Sequence, residues 1–457
     1  MKAVVLAAGK GRRLWPLTEN RPKPMIPVAN RPILEHVVDA LETAGVEEVV
    51  LVVGSNRERI QNHFRDGQEW DLDISYVIQT QQLGTGHALL QAESRIGDSF
   101  VALNGDRIID ATLIERVWER HRETDDPVLS VTRVEEPSRY GVVELDGETV
   151  VDLEEKPLPQ LTRSDYINTG VYAFDPDIFA AIRGTENEPG EQALTDTLSQ
   201  YIEDRRLRAV KYRGMWLDVS EPWDLLEVND SLIADEAPAG TDPASVDDSA
   251  VVAEAAIVGE GVTVHPQAAV LRGVTLGDNV SIGPGVLLEN AVILSDVTLK
   301  NGAVVTDCIV GANTTIGPNT TVEGGETDVV LDDTVYRDVT FGGMLGDNVD
   351  VGANAVVANA VVLSDSTIGD GAVVRDCVIG ENVRLGPNAT VEGGVTDIVV
   401  DGELHEDVRL GGVVGDNGAV GGGVTFSPGT VLGNHAVVES GCRVSGHIED
   451  DAVVRRG

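Results

Sequence analysis

From residue 252 to residue 294 an aliphatic side chain returns at every sixth position: Val252, Val258, Val264, Val270, Leu276, Ile282, Leu288 and Leu294. Neither a helix, with its period of about 3.6, nor a strand, with its period of about 2, generates a strict six. A solenoid does, when each flat face turns one aliphatic residue inward and a corner follows. Glycine follows several of the aliphatic positions, as in "VTLGDNVSIGPG" (274–285), where it eases the corner.

A longer repeat overlies the short one. "NGAVVTDCIVGANTTIGPNTTVEGGETDVVL", which starts at Asn301, returns as "DGAVVRDCVIGENVRLGPNATVEGGVTDIVV", which starts at Asp370. At the same offset, "DVTFGGMLGDN" from Asp338 returns as "DVRLGGVVGDN" from Asp407, which indicates growth by duplication. Each copy interrupts the hexads with a polar loop, expected at 323–340 and 392–409. This half resembles the hexapeptide-repeat left-handed β-helix proteins, and the resemblance implies a trimer formed along the prisms.

The preceding residues follow a different grammar. "KAVVLAAG", "EEVVLVVG", "SFVALNGD" and "PVLSVTRV" read as buried strands, with "PILEHVVDALETAG" and "ATLIERVWERHRE" at helical spacing between them. Alternating strand and helix predicts a parallel α/β sheet covered on both faces. The composition of "ADEAPAGTDPAS" (234–245) marks a linker. The expected layout is therefore an α/β domain over 1–232, a linker over 233–245 and an all-β solenoid over 246–457.

Charge narrows the function. Residues 1–235 carry 25 basic and 43 acidic side chains, and 236–457 carry 9 and 33, giving a net charge of −42. Such an excess argues against nucleic acid, which is held by phosphate neutralisation. Six lysines stand against 28 arginines, and an acid-rich, lysine-poor surface suits a salty interior, where screening weakens self-repulsion. Three cysteines (Cys308, Cys377, Cys442) fit no paired metal spacing and favour a reducing compartment. No membrane-length apolar run and no secretory signal are read, so a cytoplasmic protein is expected.

Against this acidity, the stretch from Lys10 to Lys23 holds five cations (Lys10, Arg12, Arg13, Arg21, Lys23) and one acid, Glu19. "AAGKGRRL" directly follows the first predicted strand, where backbone amides of a glycine loop can surround phosphate oxygens. It is neither a Walker loop nor a dinucleotide fingerprint, because Leu14 stands where the third glycine would be. Taken alone, the loop is equally a tight turn with solvated arginines.

"LAAGKGRRL…RPKPMIPV" resembles the signature of the sugar-1-phosphate nucleotidylyltransferases, and five further matches follow in that family's order. They are "QTQQLGTGHAL" (79–89), "NGD" (104–106), "RYGVV" (139–143) with "EEKP" (154–157), "INTGVY" (167–172) and "WLDVSEPWDLLEVN" (216–229). The resemblance implies a Rossmann-like fold that binds UTP or dTTP and a sugar 1-phosphate with Mg2+. It assigns Leu6, Ala8, Gly9, Gly11, Arg13, Gln79, Gly84 and Thr85 to the nucleotide. Lys23, Gly141, Glu155, Lys156, Asn168 and Gly170 go to the sugar phosphate. Arg13 would hold the departing pyrophosphate, Lys23 the α-phosphate, and Asp106 with Asp218 the metal, so Arg13, Lys23 and Asp106 are the catalytic candidates. Lys10 and Arg12 could assist, although the family usually has a small hydroxyl residue in place of Arg12. The chemistry agrees: joining two polyanions for in-line attack demands neutralisation and alignment, and magnesium tolerates few carboxylates plus substrate phosphates. "GTGHA" looks more like uridylyl-transferring members, favouring UTP.

The two-part layout resembles the bifunctional UDP-N-acetylglucosamine pyrophosphorylase/glucosamine-1-phosphate acetyltransferases. Archaeal-type members carry a His-x-x-Tyr segment and then Ala-Asn in the solenoid. This chain has neither in "AVVTDCIVGANTTIGPNTTVEGG" or in its second copy, and His265, His405, His435 and His447 fall at unmatched positions. The reading favoured is therefore nucleotidyl transfer with a structural, oligomerising solenoid. A bifunctional enzyme and a non-catalytic regulatory subunit are the alternatives, and a pure scaffold would leave the substrate-binding half unexplained.

Overall fold

The computed structural model describes residues 1–9, 11, 14, 18, 21–29, 31–54, 57–134, 136–185, 192–220, 224–235, 245–331, 334–341, 343–400 and 403–456. The chain forms two compact units. The first comprises Met1–Gly11, Thr18–Ile26 and Arg31–Val219, and the second Arg12–Leu17, Pro27–Asn30 and Ser220–Gly457. This division falls after Val219, earlier than the expected boundary at 232, and much of the expected linker (236–244) lies outside the described residues.

In the first unit the strands that matter here are β1 (Lys2–Ala7), β2 (Glu48–Val53), β3 (Asp73–Ile78), β4 (Phe100–Asn104), β5 (Arg107–Ile109), β6 (Val128–Arg133), β7 (Gly141–Asp146), β8 (Thr149–Glu155), β9 (Tyr166–Phe174), β10 (Arg208–Lys211) and β11 (Trp216–Asp218). Nine of them form one sheet in the order β3-β2-β1-β4-β9-β6-β10-β8-β7. Strands β1 to β4 are parallel, as their continuous apolar runs predict. The sheet as a whole is mixed, however, because β9 runs antiparallel to both β4 and β6. A parallel sheet was expected. The reversal was hidden because β9 is as uniformly buried as its parallel neighbours, and burial carries no sign of direction.

Helix α1 (Ile33–Thr43) buries Leu34, Val37, Val38 and Leu41 on the core that holds Val5, Val49, Leu51 and Leu103. Helix α2 (Thr85–Gln91) buries Ala88 and Leu89 in the separate core of Val4, Val50 and Ala102. Alternate residues of one strand thus serve two cores, as the pleat requires. Helix α3 (Ala111–Thr124) starts at Asp110, whose side chain accepts from Leu113 N at 3.2 Å as an N-cap.

The second unit is a parallel solenoid. Val264, Ile282, Leu299, Ile316, Val351, Ile368, Leu385, Val420 and Val438 stack on one face in continuous register. All nine belong to one buried aliphatic core. The hexad reading holds to Leu288, but Leu276 pairs with Ile293 and not with the expected Leu294. Ile293 is in the core and Leu294 is outside it, because the corner at Asn290 (φ 46°) closes one residue sooner. Leu288 accordingly lies beside Val305, and Val305 beside Val322.

The two interruptions expected as polar loops are antiparallel hairpins. Gly325–Leu331 pairs with Thr334–Phe341, and Val395–Val400 with Glu403–Arg409. Both leave the solenoid at one corner. In the neighbouring coils that corner is a single left-handed residue, Asn290, Asp307, Asn359 or Asp376, joined in pairs by Asn290 Nδ2 to Asp307 (2.6 Å) and Asn359 Nδ2 to Asp376 (3.2 Å). The strands resume in register beyond each hairpin, with Ile309 beside Met344 and Cys377 beside Gly412. Helix α4 (Asp224–Asp235) belongs to this unit and buries Asn229. Its side-chain oxygen accepts from Ala29 N (3.0 Å) and Thr275 Oγ1 (2.7 Å). Just before this helix the backbone N–H of Ser220 donates to the Asp224 carboxylate at 2.8 Å.

Candidate active site

Strands β1 and β4 lie side by side, so the segments leaving their C-terminal ends start from neighbouring points. Gly105 N donates to the carbonyl of Leu6 at 2.9 Å, which fixes where the chain turns into Asp106. Open α/β sheets bind ligands at such strand ends. Ala8 and Gly9 continue from β1, and Gly11 follows at φ 61°, where a Cβ would stand 2.7 Å from Lys23 Cβ. Both its conformation and this close approach require glycine. Thr18 Oγ1 donates to Gly11 O at 2.9 Å and ties off the turn. Lys10, Arg12 and Arg13 lie outside the described residues.

Lys23 is a buried cation, and its Nζ meets Asp106 Oδ2 at 2.6 Å. Asp218 reaches the same place by strand pairing: β11 runs antiparallel to β5 with Asp218 opposite Arg107. Arg107 Nη1 donates to Asp218 Oδ1 and lies 3.5 Å from Asp106 Oδ2. Burial opposes ionisation of Asp106, but the charges of Arg107 and Lys23 outweigh it and hold the carboxyl well below the usual carboxylate range. Burial likewise disfavours the Arg107 cation, yet Asp106 and Asp218 keep its pKa above the ordinary value.

Asp110 sets the geometry of β11. Its carboxylate accepts from Tyr212 OH and, at 3.2 Å, from Met215 N, just before the strand starts. Trp216 Nε1 donates to Thr169 O at 2.9 Å, and Tyr140 packs edge-on to the Trp216 ring at 5.5 Å. The sugar-side candidates meet here as well. Gly141 is the register partner of Glu155, and a Cβ on it would stand 3.0 Å from Glu155 Oε2 and 3.7 Å from Asn168 Cβ. Lys156 (φ 45°) donates its backbone N–H to Tyr140 O at 3.0 Å. Between Asn168 and Tyr172 the pairing of β9 with β6 shifts register, a device common beside active sites. Gly170 in that bulge donates to Asn168 Oδ1 (3.1 Å), and a Cβ there would come within 2.4 Å of Asn104 Nδ2.

The 79–85 candidates already have protein partners. Gln79 is buried, and its Nε2 donates to Gly84 O (3.1 Å) and lies 2.9 Å from His87 Nδ1. Gly84 (φ 101°) faces Gln192 O, 2.6 Å from where a Cβ would be, and Thr85 Oγ1 accepts from Leu194 N at 2.9 Å. Gln82, which sequence reasoning passed over, donates from Nε2 to Ala8 O at 2.5 Å and so joins this segment to the glycine loop. Its buried Oε1 has no hydrogen-bond partner among the described residues.

For a divalent cation the described residues offer Asp106 and Asp218, and they contain no cluster of three or more His, Cys, Asp or Glu. Two carboxylates suit a cation that keeps waters and takes its remaining ligands from phosphates, so the pair fits. Sequence reasoning missed Arg107, Asp110, Gln82 and Trp216. The one visible signal was a cation directly after the acid in "NGDR" (104–107).

A model of the nucleotidyl transferase family matches residues 2–235. The chain belongs to that family. A model of the GMPPB C-terminal domain matches residues 252–341 and 338–449, the solenoid that follows the transferase domain. The bifunctional protein GlmU of Methanococcus vannielii is 31% identical, and the match covers 99% of this chain and 97% of that protein. GlmU of Methanococcus maripaludis strain C7 is 39% identical over 236 residues, 51% of this chain and 54% of that protein, so this match spans about half the relative's length. The low-salt glycan biosynthesis nucleotidyltransferase Agl11 of Haloferax volcanii is 34% identical over 242 residues, 52% of this chain and 67% of that protein. No helix among the described residues is long and apolar enough to cross a membrane.

Proposed function

We propose that this nucleotidyl transferase moves a nucleotidyl group from UTP or dTTP to a sugar 1-phosphate in a Mg2+-dependent reaction that releases pyrophosphate. The observation that carries the reading is the meeting of Lys23, Asp106 and Asp218 beside a glycine turn at the ends of β1 and β4. A magnesium ion held by Asp106 and Asp218 would supply charge neutralisation on the phosphates. Lys23, whose Nζ pairs with Asp106 at 2.6 Å, would steady the α-phosphate and the incoming sugar phosphate. Arg13 is assigned the departing pyrophosphate, while Leu6, Ala8, Gly9 and Gly11 provide backbone for the nucleotide.

Gln79, Gly84 and Thr85 form the base segment, and Gln82 Oε1, which has no partner among the described residues, is an acceptor that a base N–H would satisfy. "GTGHA" favours uracil. Glu155, Lys156 and Asn168, with the backbone of Gly141 and Gly170, form the sugar side. We assign 1–232 to the transferase domain, 233–245 to the linker and 246–457 to a left-handed β-helix that trimerises, in a cytoplasmic enzyme.

The likeness to the Methanococcus vannielii GlmU over almost the whole chain favours a second reading, a bifunctional enzyme that also acetylates glucosamine 1-phosphate in the solenoid. Against it, His265, His435 and His447 are exposed in the solenoid and lie at no position matched to a general base. The test is pyrophosphate release in molar KCl with magnesium, crossing UTP and dTTP with glucose 1-phosphate and N-acetylglucosamine 1-phosphate. A parallel arm measures free thiol from acetyl-CoA with glucosamine 1-phosphate. Release that requires sugar and metal, and collapses in Asp106→Asn and Lys23→Ala, supports the transferase, and the best pair names the substrates. Thiol release would establish the bifunctional reading, and a folded protein inactive with every pair would be a regulatory subunit.

A further inference from the structure

Arg107 stands where a divalent cation and a guanidinium compete for the same oxygens. Its Nη1 donates to Asp218 Oδ1 and lies 3.5 Å from Asp106 Oδ2, while Lys23 takes the same Asp106 oxygen at 2.6 Å. Among the described residues, two carboxylates and two cations leave this cluster formally neutral, which weakens its pull on a bare divalent ion. The Asp218 side chain is only 4% exposed and that of Arg107 16%, so solvent does little to weaken the pair. A magnesium ion must approach its carboxylate oxygens to about 2.1 Å, which a guanidinium on the same oxygen forbids.

The surroundings also give Arg107 somewhere to go. Its guanidinium carbon lies 5.8 Å from the centroid of the Trp216 ring, which is held in place by Thr169 O and Tyr140. A guanidinium is attracted to an aromatic face, so this ring can hold the Arg107 cation when a carboxylate is taken from it. A guanidinium is also suited to binding phosphate oxygens in pairs.

We infer that Arg107 is a displaceable counter-ion: it holds Asp218 and Asp106 against a free divalent cation until a nucleoside triphosphate arrives, and then transfers to phosphate. The inference rests on the transferase reading for the identity of the second ligand. Its first half concerns only metal and protein. The consequence is ordered loading, in which metal enters with the triphosphate and binds poorly before it.

The test is binding of Mn2+ to the full-length protein, read from the electron paramagnetic resonance of free Mn2+ in molar KCl to screen the acidic surface. Asp218→Asn defines binding that does not belong to this site. Without nucleotide, Arg107→Gln should gain Mn2+ affinity at least ten-fold over the wild type, with the gain lost in the double variant Arg107→Gln/Asp218→Asn. With a non-hydrolysable UTP analogue, the wild type should bind Mn2+ at least ten-fold more tightly than without it, and Arg107→Gln should show a smaller increase. Equal Mn2+ affinity in wild type and Arg107→Gln overturns the proposal. Should Arg107→Gln fail to fold, Arg107→Lys serves: a gain smaller than ten-fold but dependent on Asp218 supports the proposal, and no gain overturns it. Because the first readout needs no turnover, an inactive protein that still gains Mn2+ on Arg107→Gln would refute the transferase reading and leave the counter-ion in place.

Discussion

At the scale of single side chains, the site is a balance of two acids and two cations held by strand register. Replacing Lys23 with Met keeps the bulk of the stem and removes the charge. The expected loss in kcat/KM for pyrophosphate release is about 100-fold or more, on the order of 3 kcal/mol of transition-state stabilisation. Asp106 makes a pH prediction whose sign follows from its lowered pKa. The stability it contributes is complete above the unfolded carboxyl value, about 3.9, and is lost as pH falls from there toward the lower folded value. The thermal midpoints of wild type and Asp106→Asn should therefore differ by a constant amount from pH 7 to pH 5 and converge below pH 4. A gap that closes between pH 7 and pH 5 would contradict the low pKa. Lys23, Asp106 and Asp218 were singled out in the sequence because each lies in a segment that resembles the nucleotidylyltransferase motifs in their order. Arg107 was not, because its role depends on standing opposite Asp218, far along the chain, and no local pattern records such a register.

At the scale of elements, Asp110 does three things: it caps α3, receives Tyr212 and anchors Met215 ahead of β11. Asp110→Ala should cost about 1–2 kcal/mol through the cap alone, seen as a lower thermal midpoint. Because β11 carries Asp218, it should also raise the magnesium concentration needed for half-maximal turnover; a stability loss with unchanged magnesium dependence would confine Asp110 to a structural role. The hairpins make the opposite prediction. Replacing 324–342 with one Asn restores the corner that the adjacent coils already use, so the circular-dichroism melt should stay cooperative with little change in midpoint. Collapse of the solenoid would mean that the hairpin is part of its core. The hexads were legible because one inward residue per face leaves a strict period. The slip at Leu294 was not, since a corner can close one residue early without altering the faces, and the two interruptions were placed by the repeat while their pairing into hairpins was not. The direction of β9 was equally invisible in its apolar run.

For the molecule as a whole, the formal charge of −42 sets the conditions under which any of this can be measured. Self-repulsion of the folded chain falls as the Debye length drops from about 10 Å at 0.1 M salt to about 3 Å at 1 M. The thermal midpoint should rise steeply between 0.1 and 1 M KCl, and a flat profile would remove charge as the reason for the acidic composition. The internal repeat has a consequence of its own. Val305, Val322, Val357 and Val374 follow one another on a single face, each beside the next. The step from Val322 to Val357 is the long one because it carries the hairpin, yet it ends in the same register as the others. The start and end of the copied block are therefore interchangeable in space. At the level of the gene, unequal crossing-over between the two copies would delete or add one whole block in frame. Each product would still close every strand on its neighbour, so the length of this solenoid is free to change by recombination while its cross-section is not.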